Sequence, residues 1–216
     1  MKPRLLLSND DGLDSPFLPT FAKALAEVAD LQIVVPSRER SWIGRAYCRH
    51  EILEAKRVDF FGLDCQTVSG TPADCVNIAL AHLCGETPDA VVSGLNIGQN
   101  VALPLLWSSG TFAAAVEGAG WGVSAFAFSM RLEKIYYEYC RLRHGAAPEP
   151  LLRNIEAASE HAAEFLIECL ERGECGGGKF EFSYSLGEVK SPNGAKTDIE
   201  CLDDAQACYS VIDIRG

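Results

Sequence analysis

Three short apolar runs, each ending in polar turn residues, constrain the fold of this chain more than any other feature. They cover residues 4–8, 31–35 and 89–93, and the segments 17–29 and 73–83 between them space their apolar residues at helical intervals. Strands that are apolar along their whole length are typical of parallel sheets covered on both faces by helices. The pattern predicts an α/β fold: a doubly wound, mainly parallel sheet in three α/β/α layers, similar to a Rossmann fold.

Two further segments continue this pattern. Residues 111–120 are rich in small residues and predict a helix, and residues 123–129 are apolar enough to form another buried strand. The sequence Thr71-Pro72-Ala73-Asp74 combines a capping hydroxyl, a proline at the first helical position and a carboxylate in the first turn. We therefore expect the helix over 73–83 to begin there.

The pattern changes after about residue 130. Residues 131–150 are charged and carry two prolines, which suggests an arm, and residues 151–172 predict a long amphipathic helix. Residues 179–185 and 208–214 alternate apolar and polar side chains, a pattern typical of antiparallel strands with one solvent-exposed face. We expect an α/β catalytic core over 1–130 and, over 131–216, a C-terminal extension with antiparallel strands that completes the fold or forms oligomer contacts.

Composition limits the function classes. The 216 residues carry 30 acidic and 19 basic side chains, a net charge of −11, which argues against a surface that binds a polynucleotide through its phosphates. No apolar stretch is long enough for a membrane span or a secretory signal. The chain has nine cysteines, an odd number, and no two of them have C-x2-C spacing, so we expect the thiols to be reduced. These features predict a cytoplasmic protein with a small-molecule partner, no polynucleotide and no membrane.

Polar residues follow each predicted strand, where the binding crevice of a parallel sheet lies. Asp10 and Asp11 follow the first run, Ser41 the second, and Asn96 the third. At about 4 Å and an effective dielectric of about 20, two carboxylates repel each other by about 4 kcal/mol unless a cation lies between them. Because all four side chains offer oxygen, they favour Mg²⁺ or Mn²⁺, which would activate a phosphoryl group and an attacking water.

A helix is predicted to start at the same edge, at Ser109, Gly110 and Thr111. Free backbone N–H groups and the positive end of the helix dipole at such a start suit a phosphate group. Each feature also has a purely structural interpretation: Asp-Asp-Gly as a turn, Ser41 as a solvated hydroxyl, Asn96 as part of a tight loop, and Ser109 as a helix cap. The joint position at one sheet edge favours a site.

Five blocks of sequence resemble one family. They are Leu5-Leu6-Leu7-Ser8-Asn9-Asp10-Asp11-Gly12, Val34-Val35-Pro36 with Ser41, Gly70-Thr71-Pro72-Ala73-Asp74-Cys75-Val76, the block from Val91 to Asn100, and Ser109-Gly110-Thr111. In order and spacing they resemble the survival protein SurE family. The resemblance implies a phosphomonoesterase, a 5′/3′-nucleotidase, that needs a divalent metal and hydrolyses nucleoside 5′- or 3′-monophosphates and, in some members, short polyphosphate.

The same resemblance implies roles for individual residues. It places one divalent cation per subunit on Asp10, Asp11, Ser41 and Asn96, and it assigns catalysis to Asp10, Asp11 and Asn9. It assigns the phosphate pocket to Asn9, Asn100, Ser109, Gly110 and Thr111, and it implies a homodimer or homotetramer. Whether water attacks directly or Asp10 first accepts the phosphoryl group stays open.

The chain departs from the family pattern at two points. Trp42 and Ile43 follow Ser41 where the family usually has glycine and then a further small residue, and Ser108 stands where an aromatic residue is usual. A non-catalytic nucleotide-binding relative is therefore an alternative. A receiver-like signalling module is a weaker one, because Ser93 to Asn96 occupy the place of its acceptor aspartate.

Overall fold

The computed structural model describes residues 2–142 and 147–173. This part of the chain contains six strands and six α-helices, and a π-helical segment, Ala79–Leu83, continues the second helix. In order they are β1 (Arg4–Ser8), α1 (Leu18–Val28), β2 (Asp30–Pro36), β3 (Ala55–Phe60), β4 (Leu63–Val68), α2 (Pro72–Ile78), β5 (Ala90–Ile97), α3 (Leu103–Ser108), α4 (Gly110–Gly120), β6 (Ser124–Met130), α5 (Lys134–Arg141) and α6 (Glu149–Arg172).

The strands form one sheet in the order β3-β4-β2-β1-β5-β6. All neighbours are parallel except β3 and β4, which form an antiparallel hairpin at one edge. The predicted α/β fold with a mainly parallel sheet is confirmed. The hairpin was not predicted, because β3 has an exposed, charged sequence and pairs with only one neighbour.

Helices cover both faces of the sheet, as predicted. Alternate side chains of β1 point to opposite faces: Leu5 and Leu7 join an apolar cluster with Phe21 of α1, and Leu6 joins a second cluster with Ala114 of α4. Because both faces are buried, every residue of β1 after the first is inaccessible to solvent. This burial explains why the strand reads as a continuous apolar run.

The long C-terminal helix α6 belongs to the first of these layers. Its residues Leu151, Ile155 and Leu166 are buried in the same cluster as Phe21 of α1. The predicted helix over 151–172 is confirmed, with its start two residues earlier than expected. The division of the chain at residue 130 stays a prediction.

The segment 131–150, interpreted from sequence as an arm, contains α5. Cys140 on this helix is buried, and Tyr136 and Tyr139 pack against the core cluster. The antiparallel strands predicted over 179–185 and 208–214 lie outside the described residues. No helix of the part that is described combines the length and the apolar character that crossing a bilayer requires.

Local signals fix the start of α2 as the sequence predicts. The Thr71 hydroxyl oxygen accepts a hydrogen bond from the Asp74 backbone N–H at 3.0 Å, and the Thr71 N–H donates to the Asp74 carboxylate at 2.9 Å. This reciprocal pair is a capping box. The α-helix then ends at Ile78, and the rest of the predicted helix is the π-helical segment.

Candidate active site at the carboxyl edge of the sheet

The loop after β1 holds two buried carboxylates, those of Asp10 and Asp11. Asn9 shapes this loop: its amide oxygen accepts a hydrogen bond from the Gly12 N–H, and its amide nitrogen donates to the Gly12 carbonyl, both at 3.0 Å. Gly12 has a φ of +80°, and a Cβ there would lie 3.1 Å from the Pro36 carbonyl oxygen. Glycine is therefore required at this position for the loop to pass close to the end of β2.

Asp10 is bound to the start of α4. The Thr111 hydroxyl donates to Asp10 Oδ1 at 2.7 Å, and both side chains are buried. A Cβ at position 110 would lie 2.6 Å from the Asp10 Cβ, so only glycine permits this approach. Burial raises the pKa of Asp10, and the hydrogen bond from Thr111 opposes that rise.

Asp11 faces the end of β5 instead. Its Oδ2 accepts a hydrogen bond from the Ile97 N–H at 3.4 Å, which places this carboxylate beside the buried Asn96. The strand pairing of β5 and β6 shifts between Ser93 and Asn96, where the chain leaves regular sheet geometry. The loop of Asp11 and the end of β5 are therefore in contact, as the parallel topology predicts.

The loop after β2 carries Ser41 to the same edge. The Arg40 N–H donates to the Asp10 carbonyl at 2.7 Å, and this bond joins the two loops one residue before Ser41. The Ser41 hydroxyl donates to the Glu39 carboxylate at 2.9 Å. Ser41 is thus adjacent to Asp10, and its hydroxyl oxygen keeps lone pairs for another contact.

A cleft of about 410 Å³ opens between these loops. Among its lining residues are five of the predicted site residues: Asp10, Ser41, Asn96, Asn100 and Ser109. The remaining four, Asn9, Asp11, Gly110 and Thr111, are not among the lining residues, and they connect the surrounding loops and the start of α4 through the contacts described above. Asn100 is held by a hydrogen bond from its amide to the Ser129 hydroxyl at 2.9 Å.

Ser109 forms the N-cap of α4, which was its structural interpretation. Its hydroxyl oxygen accepts a hydrogen bond from the Phe112 N–H at 3.1 Å. The helix start still faces the cleft, because Ser109 lines it and Thr111 contacts Asp10. A cap and a place in the site are therefore compatible here.

One wall of the cleft was not predicted from the sequence. Arg131, Leu132, Lys134 and Tyr137 line it, and they belong to the segment interpreted as an arm. Trp42, noted only as a departure from the family pattern, lines it as well. The spacing of Tyr136, Tyr139 and Cys140 is helical and could have indicated a packed helix here.

The donor atoms at this edge are oxygens. Asp10 and Asp11 contribute carboxylates, Asn96 an amide and Ser41 a hydroxyl, a set that suits a hard divalent cation. Within residues 2–142 and 147–173, no cluster of three or more His, Cys, Asp or Glu side chains could hold a metal. A zinc site built from histidine and cysteine therefore finds no support in the described part of the chain.

The sequence also matches a known protein family. Residues 5–203 match the family model described as Survival protein SurE. The chain belongs to the SurE family. The match contains every residue of the candidate site.

Individual SurE proteins are similar over the N-terminal part of the chain. A protein of Methanoculleus marisnigri named 5′-nucleotidase SurE is 42% identical over 133 residues, which are 62% of this chain and 50% of that protein. A protein of Salmonella arizonae named 5′/3′-nucleotidase SurE is 40% identical over 152 residues, 68% of this chain and 59% of that protein. This SurE chain spans about half the length of the curated relatives it matches.

A solved SurE structure shares the fold. The crystal structure of the SurE protein from Aquifex aeolicus has 28% sequence identity and a TM-score of 0.63, with 78% of this chain and 60% of that chain covered. The α/β architecture is thus the architecture of the family.

Behind the cleft, this SurE chain has a buried carboxylate, Glu117 of α4, with four partners. Arg45 donates to its Oε2 at 2.8 Å, Asn77 to its Oε1 at 2.9 Å, Trp121 to its Oε1 at 3.2 Å, and Tyr47 donates as well. Burial favours a higher pKa for Glu117, but these hydrogen bonds outweigh it and lower the pKa. Burial, followed by the contact with Glu117, raises the pKa of Tyr47 to about 12. The cluster fixes the chain after Ser41 to α4.

Proposed function

We propose that this chain is a divalent-metal-dependent phosphomonoesterase that hydrolyses nucleoside 5′- or 3′-monophosphates to nucleoside and phosphate. Its membership in the SurE family and the names of its relatives support this activity. The observation that carries the proposal is the 2.7 Å hydrogen bond between Thr111 and Asp10. It brings a buried carboxylate and the start of a helix together at one cleft, where a cation and a phosphate could be neighbours.

The residues present fit a divalent cation. Asp10 and Asp11 are both buried, and a divalent cation between them would stabilise both carboxylates in the ionised form. With Asn96 and Ser41 they would hold one Mg²⁺ or Mn²⁺ per subunit. When bound, such a cation supplies Lewis-acid chemistry, drawing charge from a phosphoryl oxygen and lowering the pKa of water.

The protein's own groups would orient the phosphate. The start of α4, at Ser109, Gly110 and Thr111, is the positive end of the helix dipole and would favour a negative charge. Asn100 and the cations Arg131 and Lys134 line the same cleft. These positive and donor groups would attract a small anionic substrate into a protein whose net charge is −11.

Catalytic roles follow from position in the cleft. Asp10 lines the cleft and Asp11 lies beside Asn96. We assign both to catalysis, because they are the two buried carboxylates of the loop after β1, which borders the cleft. Asn9 would act by positioning them, since both polar atoms of its amide bind Gly12 of the same loop.

A phosphate-release panel tests this function. The full chain is dialysed against EDTA and assayed with nucleoside 5′- and 3′-monophosphates and short polyphosphate, before and after Mg²⁺ or Mn²⁺ is added. We expect release from nucleoside monophosphates only after metal is restored. Activity that survives EDTA would contradict the metal requirement, whereas nucleotide binding without release would identify a non-catalytic relative.

Finer properties are proposed with this function. We propose short polyphosphate as a second substrate, a homodimer or homotetramer, and a cytoplasmic location. The cysteines of the described residues are all free thiols, which supports a reducing compartment. Light scattering of the purified chain measures the assembly, and the panel above measures polyphosphate hydrolysis.

A further inference from the structure

We propose that Trp42 is the residue on which the nucleobase of the substrate stacks, so that the indole, and not a set of polar groups, recognises the base. This inference rests on the proposed function, because it assigns the base-binding part of the same cleft. It adds a specificity-determining residue beyond the metal ligands and the phosphate pocket.

Trp42 has the position that this role requires. It follows Ser41 directly and lines the cleft, yet 71% of its surface is exposed. A tryptophan next to the polar residues of a cleft presents a large apolar surface to a ligand that binds there. A nucleoside monophosphate with its phosphate near Asp10 and Ser109 would extend its base toward the mouth of such a cleft.

The other two tryptophans of the chain have intramolecular roles. Trp107 packs edge-on against Phe112 with ring centroids 5.9 Å apart, and the Trp121 indole donates a hydrogen bond to Glu117. Among the described residues, Trp42 makes neither type of contact. Neither a ring contact nor a hydrogen bond within this part of the chain therefore accounts for a tryptophan at this exposed position.

The backbone holds Trp42 in an unfavourable conformation. Its φ is +63°, a left-handed value that a bulky side chain rarely adopts. The loop is fixed on both sides, by the Arg40 N–H to the Asp10 carbonyl at 2.7 Å and by the Gly44 N–H to the Ser108 carbonyl at 2.9 Å. Strain of this kind persists where neighbouring contacts overdetermine the backbone, and it concentrates at ligand sites.

A second aromatic ring lines the cleft. Tyr137 of α5 lies against Gly98, where a Cβ would be 3.6 Å from its ring. Leu105 and Leu132 add apolar lining. An aromatic and apolar mouth favours any base, because every base has a π-face, and it discriminates strongly against a phosphate ester that lacks one.

The test compares two substrates on the full chain with Mn²⁺: adenosine 5′-monophosphate, and ribose 5-phosphate, which carries the same phosphate and sugar without a base. Replacing a stacking aromatic residue by alanine weakens base binding by about 5- to 150-fold. We expect Trp42→Ala to lower the ratio of the two kcat/KM values by about that factor, and Trp42→Phe to restore most of it. A ratio that stays within twofold of the unmodified chain would overturn the proposal.

Phe61 offers a matched control. It is also an exposed aromatic residue, at 80%, with a left-handed φ of +54°, but it lies at the tip of the β3–β4 hairpin outside the cleft. Phe61→Ala should leave the substrate ratio unchanged. Light scattering on both variants tests whether Trp42 contacts a second copy of the chain instead. A changed oligomeric mass with an unchanged ratio would contradict the assignment.

A binding measurement separates this proposal from the proposed function. In the Trp107→Phe, Trp121→Phe double variant, Trp42 is the only remaining indole. Adenosine 5′-monophosphate should quench its fluorescence, and ribose 5-phosphate should not. Quenching without phosphate release would contradict the proposed phosphomonoesterase activity and support base stacking on Trp42. Phosphate release without quenching would support the activity and contradict the role of Trp42.

Discussion

The Thr111 hydroxyl donates a hydrogen bond to Asp10 Oδ1 at 2.7 Å, across 101 residues of sequence. This bond joins the first turn of α4 to the loop after β1, and both groups are buried. A buried carboxylate that loses a donor is destabilised by more than an exposed one, because water cannot replace the lost partner. The bond therefore contributes both to folding and to the position of Asp10.

Thr111→Val removes this donor and keeps the shape of the side chain. We expect the free energy of unfolding in EDTA to fall by about 1–3 kcal/mol, measured by urea denaturation. Thr111→Ser keeps the hydroxyl and should restore most of the loss. Equal stability of Thr111→Val and the unmodified chain would show that the bond does not hold Asp10.

Gly110→Ala tests the close approach of α4 to Asp10. The added methyl group would lie 2.6 Å from the Asp10 Cβ, so the helix start must move. We expect a loss of about 1–3 kcal/mol in stability and a fall in phosphate release, measured by urea denaturation and by the release assay.

Gly120→Ala, at the other end of α4, is its control. Among the described residues, no atom beyond the neighbouring helix backbone lies within 4 Å of a Cβ at that position, so the change should be neutral or stabilise the helix by up to about 1 kcal/mol. If both glycine variants behave alike, the approach to Asp10 is not the cause.

Glu117→Gln gives a pH-dependent prediction. The pKa of Glu117 is lowered in the folded chain, so its charge stabilises the fold above the unfolded value of about 4.3. That contribution is lost as the pH falls through the lower folded pKa. We expect Glu117→Gln to cost about 1–3 kcal/mol at pH 7, and the difference from the unmodified chain to shrink below about pH 4.3.

The matched control is Glu168→Gln, which removes an exposed ion pair with Arg172 on α6. It should change stability by no more than about 0.5 kcal/mol at pH 7. Urea denaturation at pH 7 and at about pH 3 measures both variants. A Glu117→Gln difference that is as large at the acidic pH as at pH 7 would contradict the lowered pKa.

The parallel strands could be predicted because burial on both faces gives each of them a continuous apolar sequence. The strand predicted at 4–8 coincides with β1, and residues 90–93 of the strand predicted at 89–93 form the first part of β5. Since parallel strands end at one edge, the polar residues that follow them could be assigned to one site before any coordinates were known. Asp10, Ser41 and Asn96 do line one cleft.

Other parts of the fold are less buried, and their sequence patterns indicate their structure less clearly. β3 has an exposed face and a single partner strand, so its residues are charged and do not resemble a buried strand. Tyr137 and Lys134 reach the cleft from a helix whose packed face consists of tyrosines and a cysteine, and its charged residues dominate the composition. The left-handed backbone of Trp42 depends on tertiary contacts from Asp10 and Ser108, which local sequence does not report.

Titration of the EDTA-treated chain with Mn²⁺, followed by calorimetry and by phosphate release from adenosine 5′-monophosphate, tests the central claim most directly. We predict one Mn²⁺ per subunit in the unmodified chain, with release that rises as the site fills. In Asp10→Asn, and separately in Asp11→Asn, we predict weak binding and no release. Full turnover in either variant, or turnover by the unmodified chain without a bound metal ion, would contradict the account.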